Sequence, residues 1–200
     1  MFCGGQHVNS LPERRNLQLT NFIAFWLALC LCSILLFRPF AGTLERWFYL
    51  PLIVEAFLLL SIIWLNHIGF NLLARILICW LPAAILIIDL RIVILNVPQP
   101  ETSHYVGFRI FQIAFSFFPF VVFNLSEKWK MVLAVLVPLL LAVSFDKLLD
   151  ILGAGYTQMG LSESSYYYNN FRTIISLSVI GASFVFLKSI LKGKKQEIQD

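Results

Sequence analysis

The sequence predicts an all-α membrane protein, a polytopic bundle of six transmembrane helices in one membrane domain. Six long apolar runs occupy most of the 200 residues, and hydrophobic residues make up 59% of the chain. The mean hydropathy is +0.81. A soluble domain of this size needs polar residues to cover its surface, and this composition does not supply enough of them. We therefore expect the lipid bilayer to surround most of the protein.

Each span is predicted from a run of about 20 apolar residues, the length that crosses the hydrocarbon of a bilayer. The six spans are residues 20–37, 47–65, 72–95, 106–123, 131–151 and 171–187. The aromatic residues Trp47 and Trp64, at opposite ends of the second span, are typical of the two membrane interfaces. Pro82 is expected to kink the third span. Residues 1–19 and 188–200 are expected to be cytoplasmic, the latter as a charged tail.

The positions of Lys and Arg predict the orientation, because short cytoplasmic loops carry an excess of both. Nine of the fifteen basic residues, Arg75 among them, lie in the even-numbered turns and at the two termini. Six, Arg38 and Arg46 among them, lie on the opposite side. The net charge of +4 is typical of anchoring to anionic lipid, and we expect no nucleic acid as a partner. The chain is predicted to be a multi-pass protein of the plasma (bacterial inner) membrane with both termini in the cytoplasm.

Charged residues near the spans are concentrated in the half of the membrane that this orientation places outside. Glu55 lies eight residues into the second span, about 12 Å deep at 1.5 Å per residue. The other charges near span ends are Asp89, Arg91, Arg109, Asp146, Lys147, Asp150 and Arg172. A charge near mid-bilayer costs about 3 kcal/mol or more, so such groups normally face the bundle and pair with one another.

Polar residues continue inward from two of these arginines. Arg109, Gln112 and Ser116 share one helix face by their i, i+3, i+7 spacing. Arg172 and Ser176 share another face. We expect a polar cavity that is open to the outside and binds a small ligand. The predicted ligand-binding residues are Glu55, Asp89, Arg109, Gln112, Ser116, Asp146, Asp150, Arg172 and Ser176. The alternative is that these groups form structural ion pairs, or snorkel to the headgroups.

Motifs of the common enzyme classes are absent from the sequence. It contains no HExxH, no GxSxG, no glycine-rich phosphate loop and no cluster of cysteine and histidine. We therefore expect no catalytic residue, no metal site, no cofactor and no enzyme activity in this chain. Cys30, Cys32 and Cys79 lie inside apolar runs, and with Cys3 they are expected to stay free of disulfide bonds.

Three segments carry a resemblance to a known family. They are the turn at residues 65–69 with Ala74 and Arg75 after it, the run Phe118-Pro119-Phe120 followed by Asn124 and Lys128, and the junction at residues 187–199. The layout resembles the six-helix membrane input module that precedes the catalytic domain of many bacterial sensor histidine kinases and membrane adenylate cyclases. The resemblance implies a homodimer that transmits a signal through its last helix to a kinase or cyclase domain outside this chain.

The tail after the sixth span fits either of two interpretations. Ile190 and Leu191 continue the apolar face of the span among four lysines, and one acidic turn then ends the sequence. This pattern is typical of a positive-inside anchor, and also of a helix that begins a coiled coil toward a following domain. The abrupt stop after this turn is expected of a truncated chain or of a separated membrane portion.

The leading functional hypothesis is a membrane sensor. A small ligand, or the state of the bilayer, would favour one of two bundle arrangements and so shift the sixth helix. A small transporter or channel subunit is the first alternative, and it predicts charges throughout the membrane depth. A membrane enzyme or an assembly partner is the second, with Gly181 and Ser183 on a face that suits close helix packing.

Overall fold

The structure is a computed structural model that describes residues 11–37, 49–97, 99–161 and 164–197. Side chains are described within these ranges except at residues 11–12, 37, 164–170 and 188–197. Several residues used in the predictions lie outside what is described: Cys3, Arg38, Arg46, Trp47 and the side chains of the tail lysines.

Eight helices and no strand are present in the described residues, which confirms the all-α prediction for that part of the chain. The helices are α1 (Leu11–Phe37), α2 (Tyr49–His67), α3 (Asn71–Asn96), α4 (Thr102–Phe115), α5 (Phe118–Val122), α6 (Lys128–Val143), α7 (Phe145–Ile151) and α8 (Ser164–Glu197).

Several of these helices are long and apolar enough to cross a membrane, as expected of a multi-pass membrane protein. In the described residues four segments qualify: Glu13–Leu36, Tyr49–His67, Asn71–Asn96 and Thr102–Val122. A fifth qualifies if α6 and α7 form one span that is bent by 67°. The predicted count of six is not confirmed, because the apolar part of α8, Phe171–Leu187, is shorter than these segments.

Two helix boundaries differ from the predicted spans for local reasons. α1 begins at Leu11, nine residues before the predicted span, and Glu13 lies in its first turn, where a carboxylate is favourable to the helix dipole. The predicted fourth span is divided into α4 and α5 at Ser116 and Phe117. Pro119 lies at the start of α5, where its missing N–H costs no helical hydrogen bond.

The chain divides into two compact units between Ile85 and Leu86, inside α3 and one turn after the buried Pro82. In the first unit α1 packs along α2. The turn after α2 closes through two backbone hydrogen bonds, from Gly69 to the carbonyl of Asn66 and from Phe70 to that of Leu65. Gly69 has φ 97°, a conformation that suits glycine at a helix C-terminus.

The second unit contains the end of α3 and helices α4 to α8. α8 packs against α4, α5 and α6. A core cluster of buried side chains joins α3, α4, α7 and the segment that follows α7. Its members are Ile87, Leu90, Ile94, Tyr105, Phe145, Leu149, Ala154 and Tyr156. Residues 152–161, here called the cap segment, contribute Tyr156, Met159 and Leu161 to this cluster and its edge.

Glycines shape the cap segment at two kinds of position. Gly153 and Gly160 have φ of 75° and 71°, which other residues rarely adopt. Gly155 has an ordinary φ but is packed against the last turn of α7. A Cβ at Gly155 would overlap the Asp150 carboxylate and lie 2.9 Å from the Cα of Asp150.

We expect Gly155→Ala to lower the free energy of unfolding by about 1–3 kcal/mol, the usual cost of overpacking. Thermal unfolding of the purified protein in detergent measures the change. Gly107→Ala is the matched control, because a Cβ at Gly107 meets nothing within 4 Å. It should leave the midpoint unchanged or raise it. Equal midpoints for the two variants would show that the cap segment is not packed as described.

Candidate functional site

A buried ion pair joins two of the residues that the sequence predicted for the site. Nη2 of Arg109, on α4, donates to Oδ1 of Asp146, on α7. The Arg109 side chain is 7% exposed and that of Asp146 is 0% exposed. The structure therefore brings together charges from the predicted fourth and fifth spans, and it encloses both of them.

The guanidinium of Arg109 also contacts Thr173 and Phe145. Nη1 donates to Oγ1 of Thr173, on α8, at 3.4 Å. The central carbon lies 5.0 Å from the centroid of the Phe145 ring, within the range of a cation–π contact. One arginine on α4 is thus bonded to both α7 and α8. We call Arg109, Asp146 and Thr173 the α4–α7–α8 link.

Thr173 was not predicted from the sequence, which singled out its neighbour Arg172. Thr173 is buried at 1% exposure, whereas Arg172 is exposed. Adjacent residues on a helix point about 100° apart. The buried Leu177 follows Thr173 by four residues, so the two share one helix face. This spacing from an apolar residue is the sequence signal that would favour Thr173, and not Arg172, as the inward residue.

The bend between α6 and α7 accompanies the burial of Asp146. The hydroxyl of Ser144 donates to the Leu140 carbonyl at 2.5 Å, a back-bond that often bends a helix. After the 67° bend, α7 buries Phe145, Asp146 and Leu149. The sequence predicted a continuous span, residues 131–151, across this point.

Gln112 and Ser116 continue the buried face of α4, as their spacing predicted. Gln112 is completely buried, and neither its Nε2 nor its Oε1 has a hydrogen-bond partner in the described part of the chain. The Ser116 hydroxyl donates to the carbonyl of Gln112 at 2.9 Å, and the carbonyl oxygen of Pro138, on α6, lies 3.4 Å from the same hydroxyl. An unsatisfied buried amide is uncommon, and here it lies one turn from Arg109.

The cap segment is fastened next to the ion pair. Tyr105, one turn before Arg109 on the same face of α4, stacks on Tyr156 with ring centroids 4.2 Å apart. Its hydroxyl donates to the Ala154 carbonyl at 2.8 Å. Arg91 of α3 donates from Nε to the Leu152 carbonyl at 2.9 Å. These contacts hold both ends of residues 152–156 against α3 and α4.

The other predicted site residues have different environments. In the second unit Asp150 is half-buried beside Gly155, and its backbone carbonyl accepts from Nε2 of Gln158 at 3.1 Å. Asp89 and Ser176 are half-buried. Glu55 belongs to the first unit and is buried on α2. Among the described residues, no three His, Cys, Asp or Glu side chains lie close enough together to hold a metal ion.

A groove of about 260 Å³ lies in the second unit beyond Gln112, at the end of α4. Its walls come from the α4–α5 junction, α6 and α8, and they include Ser116, Phe117, Leu139, Val143, Leu177 and Gly181. The sequence predicted a polar cavity, whereas this one is lined mainly by apolar side chains. We call it the α6–α8 groove.

The first unit contains a buried polar cluster that the sequence did not single out. Nδ2 of Asn66 donates to Oδ1 of Asn21 at 2.6 Å, and the Thr20 hydroxyl donates to the Asn16 carbonyl at 2.8 Å. These four residues are at most 8% exposed. Arg75, which the sequence placed in a cytoplasmic turn, is 1% exposed near the start of α3. The sequence signal for this cluster was the presence of Asn16, Thr20 and Asn21 within about one and a half turns of the first half of α1.

Comparisons with known proteins give no match: no family model, no curated protein and no solved structure matches the chain.

Proposed function

We propose that this chain is the membrane sensor, or input module, of a bacterial signal-transduction protein. A small ligand or a change in the bilayer would act on the α4–α7–α8 link, and α8 would carry the response out of the membrane. The proposal includes six spans, both termini in the cytoplasm, a homodimer, and a kinase or cyclase domain as the output. The resemblance of residues 65–75, 118–128 and 187–199 to sensor input modules supports the same proposal.

The observation that carries the proposal is the continuity of α8. Arg109 contacts this helix at Thr173, and the helix then continues without a break to Glu197. These 24 residues span about 36 Å at 1.5 Å per residue. A rigid helix of that length moves as one body, so a displacement at the ion pair would reach the charged tail.

A buried ion pair also suits a sensor because it favours discrete states. Separating the two charges inside the protein takes from each one its opposite charge, which costs several kcal/mol. α4 and α7 should therefore move together or rearrange completely. A stimulus with different affinities for the two arrangements would shift their populations.

A transporter or channel subunit remains the second candidate function, and two observations favour it. Arg75 is buried near the start of α3, and α6 and α7 form a bent pair. Charged residues inside spans and discontinuous helices are typical of transporters. Ion and solute flux in reconstituted vesicles distinguishes the two functions, because a sensor should show none above protein-free vesicles.

The sensor proposal is tested by a fusion of an adenylate cyclase catalytic domain after Asp200, with insertions after Leu187. Two inserted alanines rotate the tail by about 200° relative to the link, whereas seven restore its phase to within about 20°. We expect two alanines to change cellular cyclic AMP several-fold and seven to leave it near the parent value. Membrane levels are compared by immunoblotting. Cyclic AMP that does not depend on the phase of the insertion would argue against relay through α8.

A further inference from the structure

We propose that the α6–α8 groove binds one acyl chain of a bilayer lipid, which enters sideways from the membrane. The inference deepens the proposed function, because it names the ligand class of the sensor, and it depends on that function in taking α8 as a membrane span. The exposure of the walls, their polarity and the space between them favour this occupant.

The walls of the groove have an enclosed floor and a rim that faces the bilayer. On the floor, Phe117 and Leu177 are each 8% exposed. On the rim, Leu139, Val143 and Ile174 are 38%, 42% and 47% exposed. In a membrane-spanning bundle these rim residues are in contact with lipid hydrocarbon, so the groove is open to acyl chains without passage through water.

The lining offers almost nothing to a polar ligand. It contains no charged residue, and its two polar side chains are Ser116 and Ser178. Ser116 donates to the carbonyl of Gln112, and Ser178 donates to that of Ile174 at 2.8 Å. Both hydroxyl hydrogens are therefore engaged by backbone. A headgroup, a peptide or a charged metabolite would lose its hydration here without gaining partners.

Space for the chain comes from a residue without a side chain. Gly181 lines the groove on α8, and a Cβ built there meets no heavy atom within 4 Å. Because the lining is apolar, water would find few hydrogen-bond partners in this volume. A hydrocarbon chain would restore the dispersion contacts that the lining atoms otherwise lack.

The groove is also connected to the α4–α7–α8 link. Ser116 lies two turns along α4 from Arg109, and Ile174 is next to Thr173 on α8. An inserted chain would hold α8 away from α6 beside the contact that Arg109 makes. The packing and thickness of the surrounding lipid would thereby affect the link.

Photolabelling tests the inference on the full chain. The protein is reconstituted in vesicles of phosphatidylethanolamine and phosphatidylglycerol that contain a phosphatidylcholine with a diazirine in the middle of one acyl chain. After irradiation, mass spectrometry compares labelling at Leu139, Val143 and Ile174 with labelling at Leu140. Leu140 is an exposed residue of α6 that lies outside the groove and follows Leu139 directly, so it has a similar depth. We expect labelling to be enriched at the groove residues in the parent protein.

Gly181→Leu should fill the groove and lower that enrichment about tenfold, which corresponds to a loss of about 1.4 kcal/mol of affinity. Gly107→Leu is the matched control, since Gly107 is also a helical glycine with open space and lies outside the groove. It should preserve the enrichment. Ser178→Leu is a second filling variant, used if the first does not give a folded protein by size-exclusion chromatography.

Uniform labelling of exposed residues in the parent, or enrichment that persists in both filling variants, would overturn the inference. Disulfide-linked dimers of Gly181→Cys, in a variant without the native cysteines, would also overturn it by placing a second copy in the groove. Localised labelling supports lipid binding even if the cyclase fusion does not respond, because the two experiments measure separate properties.

Discussion

Asp146→Ala is expected to lower the free energy of unfolding by about 3–5 kcal/mol, the usual effect of removing one partner of a buried ion pair. The reason is the burial of Arg109, whose side chain is 7% exposed and always charged. Without Asp146, that charge loses its carboxylate while Thr173 and Phe145 supply only a hydroxyl and a ring face. Unfolding in detergent with increasing SDS measures the difference.

An exposed ion pair of the same protein provides the control. Nζ of Lys130 and Oε1 of Glu127 are 3.4 Å apart with side chains 47% and 19% exposed, so Lys130→Ala should cost about 1 kcal/mol or less. The double variant Arg109→Met with Asp146→Leu removes both buried charges and should recover most of the stability lost in Asp146→Ala. Similar losses in Asp146→Ala and Lys130→Ala would contradict a buried pair.

Tyr105→Ala is expected to have the second large effect, a loss of about 3–5 kcal/mol as for other large buried aromatic residues. Tyr105 is fully buried, stacks on Tyr156 and donates to the Ala154 carbonyl. Its removal takes away the contact that holds the cap segment next to Arg109. Hydrogen exchange measured by mass spectrometry should show faster exchange at residues 152–161.

Tyr105→Phe separates the ring from the hydroxyl. It keeps the stack and loses only the hydrogen bond to Ala154, so it should cost about 1–3 kcal/mol, since the buried carbonyl loses its partner. Exchange in the cap segment should then lie between that of the parent and that of Tyr105→Ala. Unchanged exchange in Tyr105→Ala would mean that the cap segment is held by contacts other than this stack.

The sequence predicted those features that depend on composition along one helix. The all-α fold and the membrane-spanning character follow from long apolar runs, which identify a helix without knowledge of its neighbours. The shared face of Arg109, Gln112 and Ser116 follows from helical periodicity in the same way. Asp146 was predicted as a site residue because an aspartate close to a span normally needs a partner.

Features that depend on packing between helices were not predictable in this way. The pairing of Arg109 with Asp146 joins positions 37 residues apart, and the sequence offered several other charges as partners. The choice of Thr173 over Arg172 depends on the rotation of α8 about its axis, and that rotation is determined by its neighbours. The burial of Arg75 likewise depends on packing, because a turn arginine and a buried one have the same local sequence.

The central claim is that the Arg109–Asp146 ion pair determines the signal carried by α8. Exchanging the two charges in the cyclase fusion tests this claim most directly. We expect Arg109→Asp alone and Asp146→Arg alone each to shift cyclic AMP about tenfold, the effect of about 1.4 kcal/mol on the balance between two states. Their combination, which restores opposite charges, should return cyclic AMP toward the parent value at equal membrane levels. Single variants with parent-like cyclic AMP, or a double variant no closer to the parent than either single one, would contradict the claim.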